Sequence, residues 1–325
     1  MSFSPFFRPS WWLPGPHAQT LIARFLRPKG IVALRRERWE TPDGDFLDLD
    51  FVDEDGLRED ALVLVLHGLE GSAHSGYAFQ LYSRLEARGI ACVGLNFRSC
   101  SGVLNRGLRL YHSGETSDPA WVIEELRKRF PARKLGAVGV SLGGNVLLKY
   151  LGERGFGTDL EAAAAMSVPF DLTAGGRFME QGFARHYVGR LLRSLKRKVR
   201  ARADEFGPLI DLERTLSAET FWEFDDAATA LLHGFTGADD YYERSSSCRF
   251  ITDIRIPTLV VHSRDDPFLP SSAIPEAALK ANDVMTPVIT DSGGHVGFAS
   301  GKAPFRPHFW AEERIAEWLS KRLVG

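Results

Sequence analysis

A regular alternation of short, wholly apolar segments with longer helical patterns is the feature that most constrains the fold. Residues 61–66 (ALVLVL) are apolar at every position, which is typical of a strand that is covered on both faces of a sheet. Such alternation predicts an α/β fold with a mostly parallel central sheet, helices on both faces and right-handed crossovers. The predicted strands are 61–66, 90–95, 135–138, 162–168, 258–262 and 286–290, and the predicted helices are 77–88, 119–130, 144–151, 274–281 and 309–323.

The alternation is interrupted between residues 171 and 249, where polar and basic residues dominate. We therefore predict one core formed by residues 35–170 and 250–325, with a cap inserted at 171–249. Residues 1–34 are rich in proline and aromatic residues and are predicted to form an arm that packs on the core without one regular element; its residues 12–21 could alternatively line a substrate entrance. Residues 46–52 (FLDLDFV) alternate apolar and acidic residues, which predicts a half-exposed strand near a sheet edge.

The charge balance and the cysteines argue against several classes of protein. Lys and Arg number 40 against 42 Asp and Glu, a formal charge of -2, so the chain lacks the overall positive field typical of nucleic-acid binding. Its cysteines, Cys92, Cys100 and Cys248, are odd in number and without C-x-x-C spacing, which indicates neither a disulfide framework nor a zinc site. No signal-peptide pattern occurs, and no segment approaches the ~18 apolar residues of a membrane span. We expect a cytoplasmic location.

The pentapeptide 139–143 (GVSLG) joins the apolar segment 135–138 to a helical pattern. A serine between small residues at a strand-to-helix turn is held in a strained conformation with its hydroxyl exposed. Ser141 is therefore the candidate nucleophile, although a glycine-bearing turn without a catalytic role would show the same five residues.

A serine nucleophile requires a general base and a carboxylate that orients this base. Candidates follow two later strands: residues 263–270 (SRDDPFLP) and 293–298 (GGHVGF). Because the carboxyl ends of parallel strands meet at one sheet edge, these loops should lie near Ser141. We predict His295 as the base and favour Asp266 over Asp265 as the acid; His17, His67, His74, His112 and His262 are rival bases.

The oxyanion of an acyl-transfer reaction needs fixed hydrogen-bond donors. In a strand–turn–helix site of this kind they are the backbone amide after the nucleophile and one in the loop after an earlier strand, which places them at Leu142 and Leu69. The segment around Leu69 (67–71, HGLEG) could instead be a simple turn.

Known cofactor motifs are not found. There is no G-x-G-x-x-G after the first strand, no P-loop lysine signature and no H-E-x-x-H, so no cofactor and no metal are expected. A serine rather than an aspartate at the nucleophile position argues against dehalogenase or epoxide-hydrolase chemistry. Acyl transfer through an acyl-serine is the expected reaction.

Within the predicted cap, residues 185–202 contain eight Lys or Arg and no acid. Val188, Leu192 and Val199, together with Leu191 and Leu195, recur at helical spacing. This pattern predicts a basic amphipathic helix that buries its apolar stripe on the core. Weak docking on an anionic lipid surface is the alternative for its basic face.

Eight segments carry a resemblance to a known family: 16–20, 67–72, 96–102, 111–116, 139–153, 167–172, 265–268 and 293–298. Through them the chain resembles, nearly from end to end, the YheT-like branch of the α/β-hydrolase superfamily, AB hydrolase family four. The resemblance implies the α/β-hydrolase fold and a charge-relay system of Ser141, an aspartate of the 265–266 pair and His295. It also implies a serine carboxylesterase acting on short- to medium-chain acyl esters, including acylglycerols. The sequence departs from the branch at Ser99 and Val103.

Two other functions use the same residues. An acyltransferase would pass the acyl group to an alcohol and would differ only in whether the cap excludes water. A protein of another class, a catalytically idle binding protein, would keep the fold without the reaction.

Overall fold

A central sheet of eight strands organises the protein, for which a computed structural model describes residues 6–52 and 60–325. The strand order is β1-β2-β4-β3-β5-β6-β7-β8; β1 and β2 pair antiparallel, β2 and β4 pair antiparallel, and all later pairs are parallel. The mostly parallel sheet expected from the sequence is thus confirmed. The strands are β1 Leu34–Glu40, β2 Phe46–Val52, β3 Ala61–Leu66, β4 Ala91–Asn96, β5 Lys134–Val140, β6 Ala162–Met166, β7 Thr258–Ser263 and β8 Met285–Thr290, and a separate pair is β9 Ala299–Ser300 and β10 His308–Phe309.

Helices cover both faces of this sheet. Successive side chains of β3 enter two different apolar clusters, Leu62 and Leu64 on one face and Val63 and Val65 on the other, as the period of two along a strand requires. Helices α3, α4 and α12 cover the first face, and α2 and α13 cover the second. The helices are α1 Gly15–Leu26, α2 Gly76–Glu86, α3 Ser117–Arg129, α4 Leu142–Arg154, α5 Leu172–Met179, α6 Arg185–Arg200, α7 Ala203–Phe206, α8 Leu212–Ser217, α9 Phe221–Phe224, α10 Ala230–Leu232, α11 Ala238–Ser245, α12 Glu276–Ala281 and α13 Trp310–Leu323.

The prediction that 46–52 is half-exposed is wrong. All seven residues of β2 are buried, because β1 pairs with β2 on the edge side of the sheet. Asp48 and Asp50 stand directly opposite Arg38 and Arg36, and each carboxylate accepts two hydrogen bonds of 2.8 Å from its arginine. Buried charges are tolerated when they are paired in this bidentate way.

The N-terminal arm is more regular than the sequence analysis expected. Residues 1–5 lie outside the described residues, but α1 forms a helix of 12 residues within the arm. Pro16 is the second residue of this helix, where the missing amide hydrogen costs nothing. The helix packs between the core and the region between β6 and β7.

The region between β6 and β7 contains helices α5 to α11 and, within the described residues, no strand. It has an apolar cluster of its own, to which α6 contributes Tyr187, Val188, Leu192 and Val199. The basic amphipathic helix predicted for 185–202 is therefore present as α6. The exact limits of arm, core and cap remain a prediction. Among the described residues, no helix combines the length and the apolar character needed to cross a membrane.

Acidification is predicted to destabilise the fold. Burial lowers the pKa of His67 and of His262 to about 4, from 6.5, so both side chains remain neutral in the folded protein. The unfolded chain binds these protons below pH 6.5, and stability is lost as the pH falls from 6.5 towards 4. Each histidine removes up to about 1.4 kcal/mol per pH unit. Urea unfolding at several pH values measures this loss.

The variant His262→Gln isolates one of these groups. Its free energy of unfolding should depend less steeply on pH between 6.5 and 4 than that of the parent protein. Equal slopes would show that His262 does not contribute to the acid sensitivity.

Candidate active site

Ser141 lies at the turn between β5 and α4. Its backbone angles, φ 55° and ψ -121°, lie in a region that residues with a Cβ rarely adopt, as expected for a strained nucleophile turn. The flanking glycines allow this turn: a Cβ on Gly139 would clash with the Gly143 carbonyl, and a Cβ on Gly143 would clash with the Leu66 carbonyl at the end of β3. The strand, turn and helix predicted here are all present.

His295 and Asp266 meet Ser141 at the carboxyl edge of the sheet. His295 Nε2 lies 2.9 Å from Ser141 Oγ, and His295 Nδ1 lies 2.9 and 3.1 Å from the two carboxylate oxygens of Asp266. An Nδ1 hydrogen donated to Asp266 leaves Nε2 free to accept the serine proton. The loops after β5, β7 and β8 therefore bring together the three predicted side chains.

Asp265 has a different position. Its Oδ1 accepts a hydrogen bond of 2.8 Å from the Gly294 amide, and burial is the main cause of its raised pKa. The same loop is held by Thr20 Oγ1, which accepts from the His295 amide at 2.9 Å, and by Ser167 Oγ, which accepts from the Val296 amide at 2.9 Å. Asp265 thus orients the loop that carries His295, while Asp266 contacts the imidazole.

The sequence analysis missed the stacking partner of His295. The ring of Phe268 lies parallel to the imidazole, with centroids 3.8 Å apart, and the Phe268 amide donates to Asp266 at 2.8 Å. Tyr187 of α6 lies against Phe268, with ring centroids 5.1 Å apart, and its hydroxyl is 2.9 Å from His17 Nδ1. The only local signal is an aromatic residue two positions after the aspartate.

The backbone amides of Leu69 and Leu142 are available for an oxyanion. Gly68 lies against the nucleophile, since a Cβ added there would be 3.1 Å from Ser141 Cβ. The amides of Gly68 and Glu70 donate to the hydroxyls of Tyr77 and Tyr111. Within the described part of the chain, neither the Leu69 nor the Leu142 amide donates to a protein acceptor. Leu142 also begins a helix, whose N-terminus favours negative charge.

Glu70, next to Leu69, links this loop to the cap helix α6. It has φ 53°, and its carboxylate accepts hydrogen bonds from Tyr111 at 2.8 Å, Ser194 at 2.5 Å and Lys198 at 2.6 Å. The glutamate and lysine side chains are only 6% and 14% exposed. The sequence analysis missed this pair, because an acid in one loop and a lysine 128 residues later show no local relation.

The rival histidines have other surroundings. His67 accepts from the Phe97 amide, and His112 packs on His233 with ring centroids 4.4 Å apart. His262 is fully buried behind Asp266, with Nε2 4.0 Å from its carboxylate, and half-exposed His74 lies 3.3 Å from Asp50. His17 contacts Tyr187, as described above.

No group of three or more metal-binding side chains occurs in residues 6–52 and 60–325.

Ser141 lies at a strained strand-to-helix turn, His295 is hydrogen-bonded to it, and Asp266 is hydrogen-bonded to His295. This arrangement, with serine, aspartate and histidine in that chain order, defines a serine hydrolase of the α/β-hydrolase fold. Comparison with known proteins agrees with this assignment. The chain belongs to the alpha/beta hydrolase family, whose profile matches residues 62–311. Within it the chain belongs to the YheT-like branch, since it is 39% identical to YheT of Escherichia coli over 94% of this chain and 91% of YheT.

Two further proteins are similar to this chain, one in sequence and one in fold. The chain is 33% identical to the phospholipase ABHD3 of Homo sapiens, over 92% of this chain and 75% of that protein. The esterase Pf2001 of Pyrococcus furiosus superposes with a TM-score of 0.58 over 90% of this chain and 94% of that one, at 16% identity, which shows a shared fold. The protein is therefore a hydrolase of the esterase and lipase type.

The contact between Glu70 and Lys198 is predicted to stabilise the protein. Lys198→Met should lower the free energy of unfolding by about 3 kcal/mol, because it leaves a buried carboxylate without its cation. The double variant Glu70→Gln/Lys198→Met should recover most of this loss, as measured by urea unfolding. Lys128→Met is a matched control, since the exposed Lys128–Glu125 pair is worth at most about 1 kcal/mol. Equal effects of Lys198→Met and Lys128→Met would contradict the prediction.

Proposed function

We propose that this protein is a carboxylesterase that hydrolyses short- to medium-chain acyl esters, acylglycerols among them, through an acyl-serine intermediate. The observation that carries the proposal is the continuous hydrogen-bonded series from Ser141 Oγ through His295 to Asp266. The reaction needs no group beyond these side chains, two backbone amides and water.

In the first half of the reaction, Ser141 Oγ attacks the ester carbonyl carbon while His295 Nε2 takes the hydroxyl proton. The carbonyl oxygen becomes an oxyanion, which the amides of Leu69 and Leu142 bind. His295 then gives its proton to the leaving alcohol, and the acyl group stays on Ser141. Asp266 keeps the imidazole oriented and stabilises its positive charge.

In the second half, His295 takes a proton from water, and the resulting hydroxide attacks the acyl-serine. The second oxyanion collapses, Ser141 regains its proton from His295, and the carboxylic acid leaves. An alcohol in place of water would give a new ester by the same steps, which is the acyltransferase alternative.

The proposed substrates fit the surroundings of the site. The half-buried ring of Phe268 stacks on His295, and the buried ring of Tyr187 packs on Phe268. Apolar walls of this kind favour acyl chains. Burial, with Asp266 nearby, raises the pKa of Tyr187 to about 12, so its side chain carries no charge. The similar protein ABHD3 is named a phospholipase, which is also an enzyme that acts on lipid esters.

We also infer a cytoplasmic location. All three cysteines are free, Cys92 buried and Cys100 and Cys248 partly exposed. Unpaired thiols are typical of a reducing compartment.

Ser141→Ala is expected to lower kcat for p-nitrophenyl butyrate by at least about 10³-fold, because the attacking oxygen is removed. A fluorophosphonate probe should label the parent protein and not this variant. Ser217→Ala, which removes an exposed hydroxyl in α8, serves as the control and should keep both properties. Unchanged hydrolysis by Ser141→Ala would refute the mechanism.

Added ethanol separates the two acyl acceptors, since hydrolysis yields butyrate alone and transfer yields ethyl butyrate.

Substitution of the two neighbouring aspartates should lower kcat to very different extents. Asp266→Asn is expected to lower kcat by about 10³- to 10⁴-fold, because an amide no longer holds the imidazole in the right tautomer. Asp265→Asn keeps an oxygen that can accept from the Gly294 amide and should cost less than about tenfold. Steady-state kinetics on the same ester compare the two variants. A larger loss for Asp265→Asn would reverse their assignment.

A further inference from the structure

The eight basic residues of 185–202 fall into two groups. Three are engaged with the rest of the protein: Lys196 donates to the Ala218 carbonyl, Lys198 pairs with Glu70, and Arg202 donates to three carbonyls of residues 105–107. Their positive charges are therefore part of the internal structure of the cap and its contact with the core.

The other five are exposed arginines. Within the described residues, none of them forms an ion pair with an acidic side chain. Four follow one another at intervals of three, four and three residues, so they occupy one face of α6. We call these four, Arg190, Arg193, Arg197 and Arg200, the arginine stripe.

Helix α1 extends this positive surface. His17 contacts Tyr187 near the start of α6. Two turns after His17 on α1, burial and then the charge of Arg190 lower the pKa of Arg24. Helix α1 therefore approaches α6 near these residues, and like charges come together. Because like charges repel, such a grouping costs stability, which an anionic partner would recover.

Exposed aromatic side chains adjoin the stripe. Phe183 is 47% exposed and lies two residues before the start of α6. On α1, Leu21 packs against the apolar cluster of the cap, and Phe25, one turn further on the same side, is 73% exposed. Arginines flanked by exposed apolar side chains are the composition of surfaces that lie at a membrane interface.

A series of rings leads from this surface to the active site. The ring of Phe183 is 4.7 Å from that of His17 and 5.8 Å from that of Tyr187. Tyr187 contacts Phe268, which stacks on His295. An acyl chain that enters beside Phe183 would therefore meet apolar surface as far as the general base.

We propose that α6 and α1 dock on an anionic phospholipid bilayer, with the arginine stripe on the lipid phosphates and Phe183 and Phe25 in the acyl boundary. Guanidinium groups bind phosphate through paired hydrogen bonds, and anionic lipids attract basic helices that face the cytoplasm. The purpose of docking, delivery of lipid esters to Ser141, rests on the proposed function. The docking itself does not, and it can be measured without any reaction.

The test is co-sedimentation of the protein, residues 1–325, with vesicles of phosphatidylcholine alone and of phosphatidylcholine mixed with phosphatidylserine. At low salt the protein should pellet with the mixed vesicles only, and high salt should release it. The variant Arg190→Gln/Arg193→Gln/Arg197→Gln/Arg200→Gln should bind about 10²- to 10³-fold more weakly, since each basic residue contributes roughly fivefold. Glutamine keeps the helix propensity of arginine, and retained hydrolysis of p-nitrophenyl butyrate confirms that the variant is folded.

A matched control removes four exposed lysines of the core: Lys128→Gln/Lys134→Gln/Lys280→Gln/Lys321→Gln should bind like the parent protein. The pair Phe25→Ala/Phe183→Ala should also weaken binding, because the bilayer contact is partly apolar. Ser141→Ala should bind normally, which separates docking from catalysis.

Three results would overturn the proposal. The first is absence of the parent protein from mixed-vesicle pellets at low salt. The second is equal binding by the stripe variant and the parent. The third is stripe-dependent binding to duplex or single-stranded DNA without binding to vesicles, which would assign the stripe to nucleic acid.

Discussion

The close contact between the start of α4 and the end of β3 is the constraint on which the active site depends. The chain must turn within one residue, Ser141, and only glycines at 139 and 143 leave space for the neighbouring backbone. Positive φ at a serine costs about 1–3 kcal/mol. The burial of α4 under the sheet, with Val146, Leu147 and Leu148 fully covered, offsets this cost and holds the hydroxyl at the sheet edge.

The other side chains depend on parts of the chain that lie far apart. The loop of His295 is held by Asp265 after β7, by Thr20 in the arm and by Ser167 after β6. The loop of Leu69 is held through Glu70 by two residues of α6. The segment before β1 and the helices between β6 and β7 therefore take part in the site, because each holds one of these two loops through polar contacts.

The order of strands and helices was predictable where a strand is covered on both faces of the sheet, as β3 and most of β5 are. Such a strand is apolar along its buried length, and the sequence alone shows this. The strand β2 was predicted correctly, but its burial was not, since alternating acids look the same in a solvent-facing strand and in one whose acids pair with arginines of a neighbouring strand. Arg36 and Arg38 of β1 decide the difference. The helix of the arm was missed because its prolines and aromatic residues hide a regular pattern.

The sequence by itself determined the local chemistry of the site. It shows a serine in a turn that only small neighbours permit, a histidine between small residues and a pair of aspartates, and all of them follow predicted strands. The tertiary structure decided which aspartate contacts the imidazole, which acid and lysine hold the loop of Leu69, and which arginines of α6 form no ion pair within the described residues. Asp265 and Asp266 have identical chemistry and adjacent places in the chain. Only the path of the backbone directs one carboxylate to Gly294 and the other to His295, and that path is set by packing between distant segments.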